Sequence, residues 1–489
     1  MKKSKYIYSI VLVATLLFSS IGCKKDFLDV NTPTDPTVVS IPTVLPSTQL
    51  AIAHTLGNNF QVFGCIWGQH WTQSPIASQY KTLEQYNPGA QDFDRPWRIL
   101  YADALTDLRY IQKQAALEGL TQYVACAKIL EAYAFQLLTD NFGDVPYSEA
   151  VQGDAGILTP HYDAQQTIYD GIIQTCQEGI DLADPSDAVH PGVDDLFFQG
   201  DMDLWKRFGN TLLLKMYLRL SERDAAKAQA GIAAIEAAGV GFLEAGESAM
   251  IQYTTAGGNT NPMFSEMLGY GGTQNQVASL TCMGYMQMNQ DPRVDVFYSP
   301  ANAAGLQVGI PQGAYTLPAS TLVSKPGSYT GAFYLGDDAS KVAPVRFISD
   351  YESYFLQAEA AARGWTTGDA EALYYQGIEA SFEATGLSDS AATYEARDSV
   401  VFPAGGAMND KVRKIIIEKW ISMCGTQGDE AWIEWRRTNY PDFFTQSVNS
   451  LFGINVWPYR CLYPASELTR NSNFPGQELI EHKVWWDAN

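Results

Sequence analysis

The strongest constraint on this chain is a helical period that recurs along most of its length. In QYVACAKILEAYAFQLLTD, residues Val124, Ala127, Leu130, Ala134 and Leu137 recur at three- and four-residue steps, which places them on one helix face. The helix is expected to end at NFGDVPY, where Gly143 can take a left-handed cap and Pro146 forbids continuation. DAQQTIYDGIIQTCQEGIDLAD repeats the pattern through Ile168, Ile172, Cys176 and Ile180, with Asp163 as the expected N-cap. DLWKRFGNTLLLKMYLRLSERD carries Trp205, Phe208, Leu212 and Met216 in the same way. AAKAQAGIAAIEAAG, ISDYESYFLQAEAAARG, GDAEALYYQGIEASFEATG and NDKVRKIIIEKWISMCGTQGDEAWIEWRRT follow.

Several neighbours are joined by short Gly- or Asp-containing turns, and small residues stand where helices must approach closely. The fold class is therefore all-α, built from tetratricopeptide-like helix pairs, although no strict consensus recurs. Length alone, 489 residues, would allow about three domains. Pairs stacked side by side explain how residues 23–489 can instead form one domain. Two segments break the rhythm, near 57–97 and near 254–344. The first is dense in Trp, Tyr, Gln and Asn, the second in Gly, Pro, Thr, Asn and Tyr. Irregular segments of this length are usually functional or carry short strands, so both are expected to form a loop-rich ligand face on the scaffold.

The N-terminus reads as an address. Lys2, Lys3 and Lys5 precede an apolar run from Ile7 to Phe18, shorter than the roughly 20 residues of a spanning helix. Ser20, Ile21 and Gly22 lead directly to Cys23, and no A-x-A cleavage site is present. Residues 1–22 are expected to be a lipoprotein signal peptide and Cys23 the lipid-bearing residue. The alternative is a plain signal peptide with an incidental cysteine.

Charge narrows the partners. The net charge is −22, from 54 acidic and 32 basic residues, and no basic stripe exceeds WRR. Nucleic acid is thus excluded as an expected partner, and so is adsorption to anionic lipid through the protein surface. Besides Cys23, the cysteines are Cys65, Cys126, Cys176, Cys282, Cys424 and Cys461, dispersed with no C-x-x-C and no His pairing of zinc type. Buried, unpaired thiols are the expectation; one or two disulfides are the alternative.

CKKDFLDVN, LLTDNFGDVPYSEA, LLLKMYLRLS, DPRVDVFY, YESYFLQAEAAARG, YYQGIEASFEATG and IIIEKWISMCGTQGDEAWIEWRRTNYP occur in that order, followed by RCLYPASELTRNSNFP. Together they resemble the SusD/RagB family, more narrowly its branch of starch-binding lipoproteins associated with the outer membrane of Bacteroidetes. The resemblance implies four tetratricopeptide-like helix pairs beneath an irregular ligand-binding face. It also implies a lipid-anchored protein facing the cell exterior, which lids a SusC-like TonB-dependent transporter and delivers glycans to it. The acidic residue in KKD resembles the surface-export tags of such proteins.

Catalytic constellations are sparse. His54, His70, His161, His190 and His482 are scattered, without H-E-x-x-H, G-x-S-x-G or P-loop patterns. Glu430 and Glu434 lie one helical turn apart beside Trp432 and Trp435, which would suit a glycosidase; the structural reading pairs them with Arg436 and Arg437 and packs the tryptophans in the core. The expectation is a binding protein with no catalytic residues, no cofactor and no metal; LGDDASK reads as a turn rather than a calcium loop.

A sugar offers an apolar C–H face and a hydroxyl rim, so its site needs aromatic plates with amides or charges around them. WGQHWTQ supplies Trp67, Gln69, Trp71 and Gln73, and Tyr80 follows. At helical spacing Trp67 and Trp71 share a face, so core packing is an equal alternative. Asn261, Tyr270 and Tyr329 from the second irregular segment complete the candidate set. Three functions stay open: glycan capture, capture of peptide or another nutrient by the same fold, and a ligand-free assembly scaffold.

Overall fold

The computed structural model describes residues 39–256, 258–333 and 338–489. The signal segment and Cys23 lie outside the described residues. Consecutive helices pack as pairs: Thr106–Glu118 with Thr121–Phe142, Gln165–Leu182 with Met202–Arg219, and Asp350–Ala362 with Ala370–Ala384. Thr121–Phe142 also lies along Gln165–Leu182, and Met202–Arg219 along Ala225–Ala237, so the pairs join into a continuous layer. Close approach depends on small residues. A Cβ at Gly179 would stand 2.7 Å from Ile129 Cγ1, and one at Gly64 would stand 2.1 Å from the backbone nitrogen of Asp429. Among the described residues, strand is confined to three two-stranded antiparallel ribbons. The fold is all-α, as expected.

Gly143 closes Thr121–Phe142 at positive φ, but its ψ of −124° places it outside the left-handed helical region expected of the cap. Asp163, expected as a cap, does not cap Gln165–Leu182. Its carboxylate accepts from the Tyr147 and Ser148 amides, and Asp144 Oδ1 receives the Gln165 N–H instead. The chain crossing at Val145 and Asp163 brings the distant acid closer to the orphan donor than the local one.

The first irregular segment is more helical than its composition suggests. Leu56–Phe60 makes a π-turn that runs into helix Gln61–Trp67. Its polar residues face protein partners: Gln61 Oε1 accepts from the Gly428 amide, and Asn58 Nδ2 donates to Glu266. Tertiary pairing here outweighs local propensity. The two irregular segments then meet in one ribbon, Trp71–Gln73 against Gln276–Ala278, with Gln73 opposite Gln276. Asp338–Val342, which begins inside the LGDDASK stretch expected to be a turn, is instead a short helix in which Lys341 pairs with Asp338.

A buried ionic network ties four helices together. Arg219 binds Asp140, Glu430 and Glu434; Lys215 binds Glu352 and Glu430; Arg437 grips Glu359 and Glu434. Arg436 takes no part in these pairs. It stacks on Trp432 at 3.8 Å and donates to the Asp140 and Tyr459 carbonyls. Trp432 and Trp435 are core residues. All six cysteines after Cys23 are buried with free thiols, and no described helix is long and apolar enough to cross a membrane.

Candidate functional site

The cluster in WGQHWTQ is interior. Trp67 is 3% and Trp71 0% exposed, and Gln69 and Gln73 are equally buried. Trp67 packs on Phe63 and Trp432 and donates its indole N–H to the Leu83 carbonyl. Gln69 accepts from Thr281 Oγ1 and the Thr445 amide and donates to the Thr445 carbonyl. Gln73 Oε1 accepts from the Tyr80 amide at 2.7 Å, so it holds the turn that presents Tyr80. These four residues are corrected from ligand plates to frame. The physical reason for Trp67 is that Gln61–Trp67 packs against Gly428–Thr438, while Gln69, Trp71 and Gln73 are held in the turn and ribbon that follow, against Thr445 and Gln276–Ala278.

Asn261 is likewise structural. It caps Pro262–Gly269 by accepting from the Met263 and Phe264 amides and donates to the Ala343 carbonyl. Tyr329 is half-buried beneath the Arg346 guanidinium, 5.1 Å from its ring centre, on a separate cleft of about 340 Å³ with Ser248, Gln252 and Asp350.

Tyr80 and Tyr270, 190 positions apart in the numbering, do converge. Their rings meet edge to face, 6.3 Å apart at 83°, in the wall of a cleft of about 240 Å³. The π-turn contributes Asn58 and Asn59, the helix Asp94–Arg98 contributes Arg95, and Pro262–Gly269 contributes Glu266. Glu266 accepts from Tyr270 Oη at 2.7 Å, Asn58 Nδ2 at 3.0 Å and Arg95 Nη1 at 3.1 Å. Burial pushes its carboxyl up, but those donors outweigh burial and hold it below the ordinary range. Tyr270 is raised to about 12 by burial and by hydrogen bonding to Glu266, so its hydroxyl keeps its proton at neutral pH. Arg95 Nη2 also meets His54 Nε2 at 2.6 Å.

Of the buried polar atoms of this cleft, Asn59 Oδ1 meets no hydrogen-bond partner among the described residues, and Tyr80 Oη makes no bond of ordinary length, facing Tyr270 Oη and the Gln276 side chain. Buried polar groups are rarely left so. A cleft with a half-exposed tyrosine, paired opposite charges and unmatched hydroxyl and amide groups suits a neutral, hydroxyl-rich ligand better than an ion. No described aromatic side chain lies in the fully exposed class, so plates for a sugar must be half-buried ones such as Tyr270. Sequence reading passed over Asn58, Asn59, Arg95 and Glu266; the signal was the pair of asparagines in GNNF and the arginine in DFDRPW, within the segment already marked as polar and aromatic.

Glu430 and Glu434 form no reactive pair. Burial raises both carboxyls, yet Arg219 and Lys215 beside Glu430, and Arg437, Lys419 and Arg219 beside Glu434, outweigh it and keep both low. A general acid needs the opposite shift.

No curated protein matches the sequence at a significant level. Among solved structures, a chitin-binding protein superposes with a TM-score of 0.76 at 24% identity, covering 91% of this chain and 100% of that one. A chitin-binding SusD homolog from Flavobacterium johnsoniae gives 0.77 at 23%, covering 90% and 99%. A SusD homolog from Bacteroides uniformis gives 0.77 at 22%, covering 91% and 99%. Residues 33–464 match the SusD-like family described as starch-binding and associating with the outer membrane, and the chain belongs to that family.

Proposed function

We propose that this protein is a non-catalytic lipoprotein that captures a neutral oligosaccharide in the Tyr80–Tyr270 cleft. The observation that carries this reading is the cleft itself, where Asn59 Oδ1 is buried without a partner and Tyr80 Oη without a bond of ordinary length, beside the partly exposed Tyr270 ring. Hydroxyl groups satisfy both atoms while the C–H face of a sugar covers the ring. Family membership supports capture of glycan at the outer membrane. The chitin-binding relatives make β-linked N-acetylglucosamine oligomers the first ligands to try, with α-linked glucose oligomers next.

In this proposal the lipid on Cys23 holds the protein at the outer surface of the outer membrane, and the ligand passes to a SusC-like TonB-dependent transporter. Isothermal titration of the protein lacking residues 1–23 against both oligomer series tests the reading. Saturable binding of either series without release of shorter products supports it. Binding of peptides alone, with no oligosaccharide bound at millimolar concentration, sinks it in favour of peptide capture.

A further inference from the structure

Under the Trp71–Gln73 ribbon, four residues converge that their spacing in the sequence keeps apart. Cys65 comes from helix Gln61–Trp67 and His70 from the turn after it; Cys282 lies on Leu280–Met288 and Cys424 follows Met408–Ser422. All four are fully buried. Cys282 Sγ and Cys424 Sγ are 3.8 Å apart, and Cys65 Sγ is 3.9 Å from His70 Nδ1. A ring nitrogen of His70 and the Cys282 and Cys424 sulfurs all lie within 4.8 Å of one another.

Tetrahedral zinc, with sulfur at about 2.3 Å and nitrogen at about 2.0–2.1 Å, spaces its ligand atoms by roughly 3.4–3.8 Å. The two sulfurs already stand at that spacing, well beyond the roughly 2.05 Å of a disulfide. The histidine is also set correctly. Its Nε2 lies 2.9 Å from the Trp420 carbonyl oxygen. A carbonyl only accepts, so Nε2 carries the proton and Nδ1 keeps its lone pair on the Cys65 side. An outer hydrogen bond of this kind fixes the tautomer and ring orientation of metal-binding histidines.

We propose that His70, Cys282 and Cys424 hold one buried zinc ion, with Cys65, which stands beside His70 but outside that three-residue group, moving in as the fourth ligand. Three thiolates and a neutral imidazole are the donor set that zinc favours in structural sites. The thiol protons leave as the ion binds, and because the site is enclosed the ion enters during folding. The site would staple the two irregular segments to the helical frame directly beneath the ribbon. The competing arrangement is a chain of neutral thiols, Cys282 donating to Cys424 and Cys424 donating to Tyr298 Oη.

The test is metal analysis of the mature protein produced with zinc in the medium and dialysed against a chelator. About one zinc per chain is expected, falling below about 0.2 in Cys282→Ser and Cys424→Ser but unchanged in Cys176→Ala, whose thiol lies elsewhere in the core. If the serine variants do not fold, cobalt loaded into the wild-type protein during refolding decides the matter through thiolate-to-cobalt charge-transfer bands. Wild-type protein with less than about 0.2 equivalents of metal and six titratable thiols overturns the proposal. So does a Cys282–Cys424 disulfide in peptide mapping of freshly isolated protein.

Discussion

Trp67 lies against Trp432 with ring centroids 4.7 Å apart and planes inclined by 54°. That contact joins a residue of the first irregular segment to the helix Gly428–Thr438, and it places the ring inside the molecule. Truncation therefore opens a cavity rather than removing a ligand contact. Trp67→Ala is expected to cost on the order of 3–5 kcal/mol in urea unfolding. A variant with unchanged stability and lost glycan affinity would return Trp67 to the binding surface.

The ionic network makes a second prediction. Arg437 is fully buried and bonds Glu359 through Nη1 at 2.7 Å and Nη2 at 2.6 Å, while its Nε and Nη2 reach Glu434. Removing one partner of a buried set leaves uncompensated charge, which costs about 3–5 kcal/mol. Arg437→Ala is expected to lose at least that much, or to be recovered only as aggregate. Lys113→Ala, which breaks the exposed pair with Asp154, should leave stability close to that of wild type. Equal effects in the two variants would show that the network is not what holds the helices.

Much of this scaffold was legible from its period. Ile168 to Ile180 announce a helix face that burial follows, whereas Thr121–Phe142 is buried on almost every side and Val124 is one of its few partly exposed residues, so there the period marked a helix but not its packing face. The cap of Gln165–Leu182 was not legible, since Asp144 reaches it only after the chain has folded back. The cleft proposed here as the ligand site draws on both polar, aromatic segments. Its residues were not legible, because composition does not distinguish Trp71, enclosed within a ribbon, from Tyr270, at a cleft mouth. Tyr80 and Tyr270 were both named, but nothing local indicates that they share one cleft.

Glu84 supplies a pH dependence. Its carboxylate is buried, accepts from Thr72 Oγ1, the Gln73 amide and Gln312 Nε2, and is raised to about 7, chiefly by desolvation. Because the folded-state value lies above the unfolded one, the protonated form favours folding. Stability from this group is fully present below about pH 4.5 and is lost as pH rises through about 7, by on the order of 3 kcal/mol. Asp429, raised to about 7 mainly by burial, acts in the same direction. Glu84→Gln should flatten the fall in unfolding free energy between pH 5 and 8, and the Gln312 Oε1 atom, otherwise unpartnered, can accept from the new amide. An unaltered slope would mean that Glu84 is ionised in the folded protein at pH 5.

The anchor can be tested independently of the ligand. No described helix can cross a membrane, and a net charge of −22 disfavours adsorption to anionic lipid. Cys23→Ala is expected to abolish acyl labelling and release the protein from the membrane fraction, since stable attachment needs more than one chain or signal. The measurement belongs in cells lacking any partner transporter; retention of the variant there would refute the lipid anchor.

The cleft allows the sharpest substitution. Tyr80 Oη is buried and makes no hydrogen bond of ordinary length, only facing Tyr270 Oη and the Gln276 side chain, so Tyr80→Phe removes a group that contributes little to the fold. Its stability should match or slightly exceed that of wild type. If the hydroxyl serves a sugar, the variant should lose about 1 kcal/mol of binding, roughly a five- to tenfold weaker Kd. Tyr270→Ala removes a half-exposed ring and should weaken binding about tenfold or more. It also takes the Tyr270 Oη donor from Glu266, which keeps its bonds to Asn58 and Arg95. Raising salt from 50 to 500 mM should leave the wild-type affinity within about twofold, because stacking and neutral hydrogen bonds are poorly screened whereas an ion-paired ligand would be lost. Titration calorimetry with one oligosaccharide, run beside thermal melts of both variants, measures all three effects. Full affinity in both variants, with melts unchanged, would remove the ligand from this cleft and direct the search to the Tyr329–Arg346 cleft.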